Sequence, residues 1–290
     1  MKTGVLASGN LGYICITEKL NILNPVFVAT DKFSEGIIEL CEIKKIPLFV
    51  GNPRKGRLHA FLIEHNIEVD VLFSINYLFI IEKDIIDSSR YCINFHGSLL
   101  PKYRGRTPHV WSIINGEKET GISAHLIDEG CDTGDIILQK KVLIEEEDTG
   151  ASILEKYSEI YPDMIEEIIS KLGGNQLEIT TQNHRKATFF GKRTPEDGEI
   201  NWEWSKERIR NWVRAQAAPY PGAFTYYNSE KITIDNIEFT DDGFDYSTVN
   251  GTILSTSPLL IKTTNGVIIV KEVREKNIAF KNNDRLASKI

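Results

Sequence analysis

The chain lacks most of what would carry it into a membrane, out of a cell or onto nucleic acid. No apolar run approaches the roughly 18–20 residues that a spanning helix needs. The stretch VDVLFSINYLFII at 69–81 is short, is broken by Ser74 and Asn76, and reads as a buried strand followed by a turn. Four scattered cysteines, Cys15, Cys41, Cys92 and Cys131, form no C-x-x-C pair, which removes a zinc knuckle and a disulfide framework from consideration. Positive charge is not in excess either. With 34 Lys and Arg against 41 Asp and Glu, the net charge is −7, which argues against a general nucleic-acid binder but leaves room for a local basic pocket. The opening MKTGVLASGN has none of the basic, apolar and small-residue regions of a signal peptide, so a cytoplasmic location is expected.

What is present suits a folded protein of two domains. Hydrophobic residues make up 41% and charged residues 26% of 290 residues, an ordinary globular balance at a length beyond one average domain. Over 1–182, apolar strand-like runs (TGVLAS, PVFVATD, IPLFV, VDVLFSI) alternate with helical patterns, the mark of βαβ units and a mostly parallel sheet. TGISAHLID at 120–128 and DIILQKKVLI at 135–144 read as a hairpin-like pair of strands around a tight EGCDTG segment. A long amphipathic helix follows, with Pro162 as a possible bend, ending at Gly173 and Gly174. Turn formers and aromatics then take over. The fold expected is α/β: a Rossmann-like domain at 1–188, a linker at 189–202, and a smaller β-rich, OB-like barrel at 203–290. Trp202, Trp204 and Trp212 are expected to pack the domain junction, and the polar KNNDRLASKI at 281–290 to fray.

The segment YCINFHGSLLPKYRGRTP at 91–108 carries the strongest chemical signal. If 91–95 is a strand, Asn94 and His96 point to the same side at its carboxyl end, where open α/β sheets bind ligands. Gly97, Pro101, Gly105 and Pro108 then force a loop bearing Ser98, Lys102, Arg104 and Arg106, suited to an anionic substrate. In LIDEGCDTGDI at 126–136, Gly130 and Gly134 let the chain turn and aim Asp132 inward. An amide to hold an oxyanion, an imidazole to take a proton and a carboxylate to support it suit acyl transfer without a protein nucleophile. Gly9, Asn10, Leu11 and Gly12 make a G-x-x-G turn, either a phosphate cradle or a plain strand-to-helix turn. The remaining histidines, His59, His65, His109, His125 and His184, are spaced too irregularly for a metal site, and no metal is expected.

NFHGSLLP at 94–101, Arg104 with Gly105, and DTGD at 132–135 resemble the signature of the 10-formyltetrahydrofolate-dependent formyltransferases. GEINW at 198–202 and VRAQAAPYPGAF at 213–224 resemble the linker and second domain of the longer members. The resemblance implies 10-formyltetrahydrofolate as co-substrate, with Asn94, His96 and Asp132 as the catalytic set. It also implies a pterin site on Asn76, Tyr77, Leu78, Phe79 and Ile80, together with Asp128, Gly130 and Asp132. For the acceptor, Ser8, Gly9, Asn10, Ser98, Lys102 and Arg104 are the candidates.

Three features narrow the acceptor. Gly97 stands where glycinamide ribonucleotide transformylase and the hydrolase domain of formyltetrahydrofolate dehydrogenase have proline, and those lack the second domain. Methionyl-tRNA formyltransferases carry a long basic insertion after the second strand, whereas VATDKFSEGIIEL runs almost directly into a helix with Lys32 as its one cation. GKRTPEDGEINW at 191–202 resembles the linker of the sugar N-formyltransferases. The expected acceptor is therefore the amine of a dTDP- or UDP-linked amino-deoxy sugar, for bacterial surface glycans such as the O-antigen of lipopolysaccharide. The resemblance further implies a homodimer through the C-terminal domain, with no membrane partner. Two alternatives stay open: a methionyl-tRNA formyltransferase, and a non-catalytic nucleotide-binding regulator built on a Rossmann unit.

Overall fold

A computed structural model describes residues 1–288. In chain order the elements are β1 (Thr3–Ala7), α1 (Gly9–Leu23), β2 (Pro25–Thr30), α2 (Glu35–Lys44), β3 (Leu48–Val50), α3 (Arg57–Glu64) and β4 (Val71–Ile75). There follow α4 (Lys83–Ile86), β5 (Tyr91–His96), β6 (Arg104–Gly105), α5 (Pro108–Ile114), β7 (Glu119–Leu126), β8 (Ile136–Leu143) and α6 (Gly150–Gly173). The last part holds β9 (Phe189–Phe190), α7 (Lys206–Ala215), β10 (Ala223–Tyr227), β11 (Glu230–Thr240), β12 (Ile253–Thr256), β13 (Leu259–Thr263) and β14 (Gly266–Val273).

The chain forms two compact units. The first comprises Met1–Gly105, Thr120–Val142 and Glu155–Phe189; the second comprises Arg106–Glu119, Leu143–Leu154 and Phe190–Ile290. Two stretches from within the first 188 residues thus belong with the second unit.

The first unit is built on a seven-stranded sheet of order β3-β2-β1-β4-β5-β7-β8. Strands β1 to β5 are parallel, and β7 runs antiparallel to β5. Every residue of β1 and β4 is buried, as the mostly apolar runs TGVLA and VLFSI require of strands covered on both faces, with Thr3 and Ser74 as their buried polar members. From β1 the chain steps outward to β2 and β3, then returns to place β4 on the other side of β1. That reversal opens a crevice at the carboxyl ends of β1 and β4, where ligands bind in sheets of this kind. Helix α6 runs through Pro162 without interruption. It turns Tyr157, Tyr161, Met164, Ile165 and Ile168 inward at helical spacing. The Tyr161 ring packs 5.6 Å from Phe95, which lies 6.0 Å from Phe73. Each such buried side chain contributes about 1.5–3 kcal/mol to folding.

The second unit holds a five-stranded antiparallel sheet of order β10-β11-β14-β13-β12. The tail expected to fray instead closes this sheet. Tyr226 on β10 exchanges both backbone hydrogen bonds with Ala287, while Ile253 N–H donates to Asp284 O and Leu286 N–H to Gly251 O at the β12 end. Leu286 is fully buried there, and its burial outweighs the polarity of its neighbours. The last two positions of that expectation, 289 and 290, lie outside the described residues. The segment 189–202 is also built in, because Ile200 and Trp202 are buried and Ile200 N–H bonds Phe224 O. The tryptophans pack inside this unit: Trp202 Nε1 donates to Thr225 Oγ1, Trp212 Nε1 to Gly198 O, and Trp204 meets Trp212 edge-on at 4.8 Å.

Candidate active site

Strand β5 delivers Asn94 and His96, and the antiparallel register sets Asn94 directly opposite His125 on β7. Cross-strand pairs of this kind bring side chains into contact. The Asn94 amide nitrogen lies 3.2 Å from His125 Nε2. The loop between β7 and β8 then brings Asp132 to the same point. Its Oδ1 is 3.5 Å from His96 Nδ1 and 3.6 Å from His125 Nε2, and its Oδ2 accepts from Gly105 N–H at 2.8 Å. The three residues read from the sequence as a catalytic set therefore meet, and a second histidine joins them.

Hydrogen-bond partners fix how these rings are loaded. His96 Nε2 lies 2.7 Å from Tyr103 O, and His125 Nδ1 lies 2.7 Å from Leu126 O. Carbonyl oxygens only accept, so those two nitrogens carry the hydrogens when the rings are neutral. The inward nitrogens, His96 Nδ1 and His125 Nε2, then present lone pairs. One amide hydrogen of Asn94 goes to His125, leaving the other free.

Burial pushes the His96 pKa down, more strongly than the Asp132 charge pulls it up. Burial also works against the Asp132 carboxylate, but contacts with His125 and His96 and the Gly105 N–H outweigh it and hold Asp132 below the usual carboxylate range. At neutral pH, His96 is a free base beside an ionised carboxylate. In histidine ring ¹⁵N spectra, His96 should titrate below its ordinary 6.5. Removing the Asp132 charge should move it lower still, because that charge favours the protonated ring. A titration at or above 6.5, or an upward move in Asp132→Asn, would contradict this electrostatic picture.

The other sequence candidates separate into two groups. Asn76, Leu78 and Ile80 are exposed at the end of β4, beside the paired rings of Tyr77 and Phe79 at 5.4 Å, and the Asn76 amide donates to Ser8 O across the crevice. Asp128 accepts from Gly130 N–H and Thr133 Oγ1, which shapes the Asp132 loop. Gly9, Asn10 and Lys102 are also on the surface. Ser98 and Arg104 are buried and spend polar atoms on the protein, Ser98 Oγ on Lys102 O and Arg104 on Gln182 and His184. The Gly9 N–H, the natural donor for a phosphate at the start of α1, donates to Ser34 Oγ, which in turn donates to the buried Asp31 carboxylate. His125, Gln182 and the Gly105 N–H are additions that the sequence did not reveal. Among the described residues, no group of three or more His, Cys, Asp or Glu side chains is arranged to hold a metal, and no helix is long and apolar enough to cross a membrane.

An amide donor, a neutral imidazole and a carboxylate at the mouth of a parallel sheet are equipped for group transfer by proton removal and oxyanion support. The chain belongs to the formyl transferase family: the formyl transferase pattern matches residues 24–169 and its C-terminal domain pattern matches residues 192–283. It is a formyltransferase. Among solved structures, it is similar to WlaRD, a sugar 3-N-formyltransferase crystallised in the presence of dTDP and 5-N-formyltetrahydrofolate. That likeness has 21% identity and a TM-score of 0.73, over 96% of this chain and 99% of that one. It is also similar to an N-formyltransferase from Helicobacter canadensis in complex with folinic acid and dTDP-3-aminofucose, with 21% identity and a TM-score of 0.66 over 93% and 98%. A methionyl-tRNA formyltransferase from Clostridium thermocellum matches with 22% identity and a TM-score of 0.58 over 84% and 96%.

Proposed function

We propose that the protein transfers the formyl group of 10-formyltetrahydrofolate to the amine of a dTDP- or UDP-linked amino-deoxy sugar. We place it in the cytoplasm, as a homodimer through the C-terminal domain, supplying bacterial surface glycans such as O-antigen. The observation that carries the choice of acceptor is the connection from β2 to α2. Only Asp31, Lys32, Phe33 and Ser34 lie between Thr30 and Glu35, with Lys32 as the one cation. Such a link has no basic segment with which to grip a tRNA stem, and the net charge of −7 adds no attraction for one. The two N-formyltransferases crystallised with dTDP or a dTDP-sugar support the same reading, since they cover 96% and 93% of this chain at TM-scores of 0.73 and 0.66, against 84% and 0.58 for the methionyl-tRNA formyltransferase.

The residues fit a folate. The exposed apolar Leu78 and Ile80 beside the Tyr77 and Phe79 rings suit a flat heteroaromatic group, and Asp128 and Gly130 edge the same crevice in this reading. As the acceptor nitrogen bonds to the formyl carbon, the formyl oxygen gains negative charge, and the free N–H of Asn94 donates to it. The same nitrogen must lose a proton. With His125 Nε2 occupied by an Asn94 hydrogen, His96 Nδ1 and Asp132 Oδ1 are the two acceptors that face one space, and the imidazole plus the carboxylate hold that proton. The proton then returns to the folate nitrogen as its bond to the formyl carbon breaks. Alignment of the two reactants in the crevice removes much of the entropic barrier, on the order of several kcal/mol. Asn10 and Lys102 remain as acceptor contacts, Gly9 has its N–H committed to Ser34, and Ser98 and Arg104 act by shaping the loop.

Incubation of the enzyme and 10-formyltetrahydrofolate with a panel of dTDP- and UDP-linked amino sugars, read by mass spectrometry, tests this reading. One formyl adduct on at least one sugar is expected. Formylation of methionyl-tRNA and of no sugar would overturn the acceptor.

A further inference from the structure

Asp132 occupies a conformation that needs outside support. Its φ of 53° lies in the left-handed region, which disfavours a residue with a side chain, though Asp less than most. Its neighbours leave little slack, since a Cβ on Gly134 would sit 1.9 Å from Leu126 O. Gln182, in the loop after α6, is 4% exposed and sends its amide hydrogens into this segment. Nε2 donates to Asp132 O at 3.0 Å and to Gly134 O at 2.6 Å. The Gln182 oxygen accepts from Arg104 Nη2 at 2.6 Å. A guanidinium can only donate, so Arg104 dictates which end of the amide faces the Asp132 loop. Arg104 is 2% exposed, its other hydrogen-bond acceptor is His184 Nδ1, and its Nε has no partner among the described residues. Burying a guanidinium against neutral acceptors is costly, which argues that this one is kept for more than packing.

We propose that Gln182, oriented by Arg104, is a positioning residue for Asp132, clamping the carbonyls of Asp132 and Gly134 so that the carboxylate stays between His96 and His125. The proposal rests on the reading of Asp132 as part of the catalytic set. It gives Arg104 a role behind the loop in place of a contact with the acceptor. The Arg104 charge also disfavours a proton on His96, which supports the free-base form.

Gln182→Glu separates positioning from packing. The carboxylate has the same shape and pairs with Arg104 more strongly, yet it has no N–H for the two carbonyls. The variant should fold with a lowered melting temperature, since two buried carbonyls lose their donor, while kcat at a temperature where it is folded falls about 10–100-fold, the scale for losing a partner that orients a reacting group. KM for 10-formyltetrahydrofolate should be unchanged. Gln182→Met, which adds no charge, should show the same kcat loss, and that agreement would exclude a purely electrostatic effect of the new carboxylate. A folded Gln182→Glu or Gln182→Met protein with wild-type kcat would overturn the proposal. So would failure of Gln182→Glu to fold, because the residue would then serve the fold itself. Asp132→Asn, assayed alongside, distinguishes the two levels. Wild-type turnover in Asp132→Asn removes the catalytic reading, whereas an inactive Asp132→Asn beside a fully active Gln182→Glu removes only the clamp.

Discussion

Asn94→Ala is expected to lower kcat by about a hundred- to a thousandfold while leaving the affinity for 10-formyltetrahydrofolate unchanged. That is the scale for deleting one preorganised oxyanion donor. The geometry makes the donor specific. His125 Nδ1 is committed to Leu126 O, so its Nε2 accepts one Asn94 hydrogen, and the remaining hydrogen is held in a fixed direction. A fixed donor needs no reorganisation when charge develops, which is why the loss should appear in kcat. Asn94 is half-buried at the end of β5, and its neighbours Ile93 and Phe95 carry the packing, so melting of the variant should resemble that of the parent. Near wild-type turnover would remove Asn94 from the oxyanion role.

A larger loss, about 10³–10⁴-fold in kcat, is expected for Asp132→Asn, by analogy with neutralising the carboxylate that supports a base imidazole elsewhere. The substitution is nearly isosteric. An amide oxygen can still accept from Gly105 N–H, the bond that Asp132 Oδ2 makes, so the loop keeps its anchor. What disappears is the negative charge between His96 and His125, and with it the stabilisation of a proton taken from the acceptor amine. Steady-state kinetics with matched thermal melts would check the prediction. A variant that melts normally and retains wild-type kcat would show that the charge is not needed.

The sheet was legible because its strands are continuous apolar runs with helical patterns between them. Asn94 and His96 were legible as a pair because strand geometry alone puts residues two apart on one side. Asp132 could be placed near them only through a resemblance, since a loop between two glycines carries no direction in its sequence. His125 was passed over for a physical reason. Its partnership with Asn94 depends on the antiparallel register of β7 on β5, and one residue of slip would have turned it to the other face. Gln182 had no signal at all, because its bonds to Asp132 and Gly134 span 50 and 48 residues. Arg104 reads in the sequence as a loop cation for the acceptor because it stands beside Lys102, yet the backbone N–H of Arg104 bonds Thr188 O and its side chain is buried. The C-terminal tail misled in the opposite sense. Its composition is polar, but Leu286, buried among the described residues, and backbone bonds to β10 and to the Gly251–Ile253 edge are enough to fix the tail through Ala287.

The most direct test of the central claim is a single-turnover reaction with 10-formyltetrahydrofolate labelled in its formyl carbon, a dTDP- or UDP-linked amino sugar, and enzyme in excess. Transfer through Asn94, His96 and Asp132 predicts that the label passes straight into an N-formyl amide on the sugar, with none bound covalently to protein at any time. Label recovered as formate or attached to the protein, with the sugar amine unmodified, would contradict it.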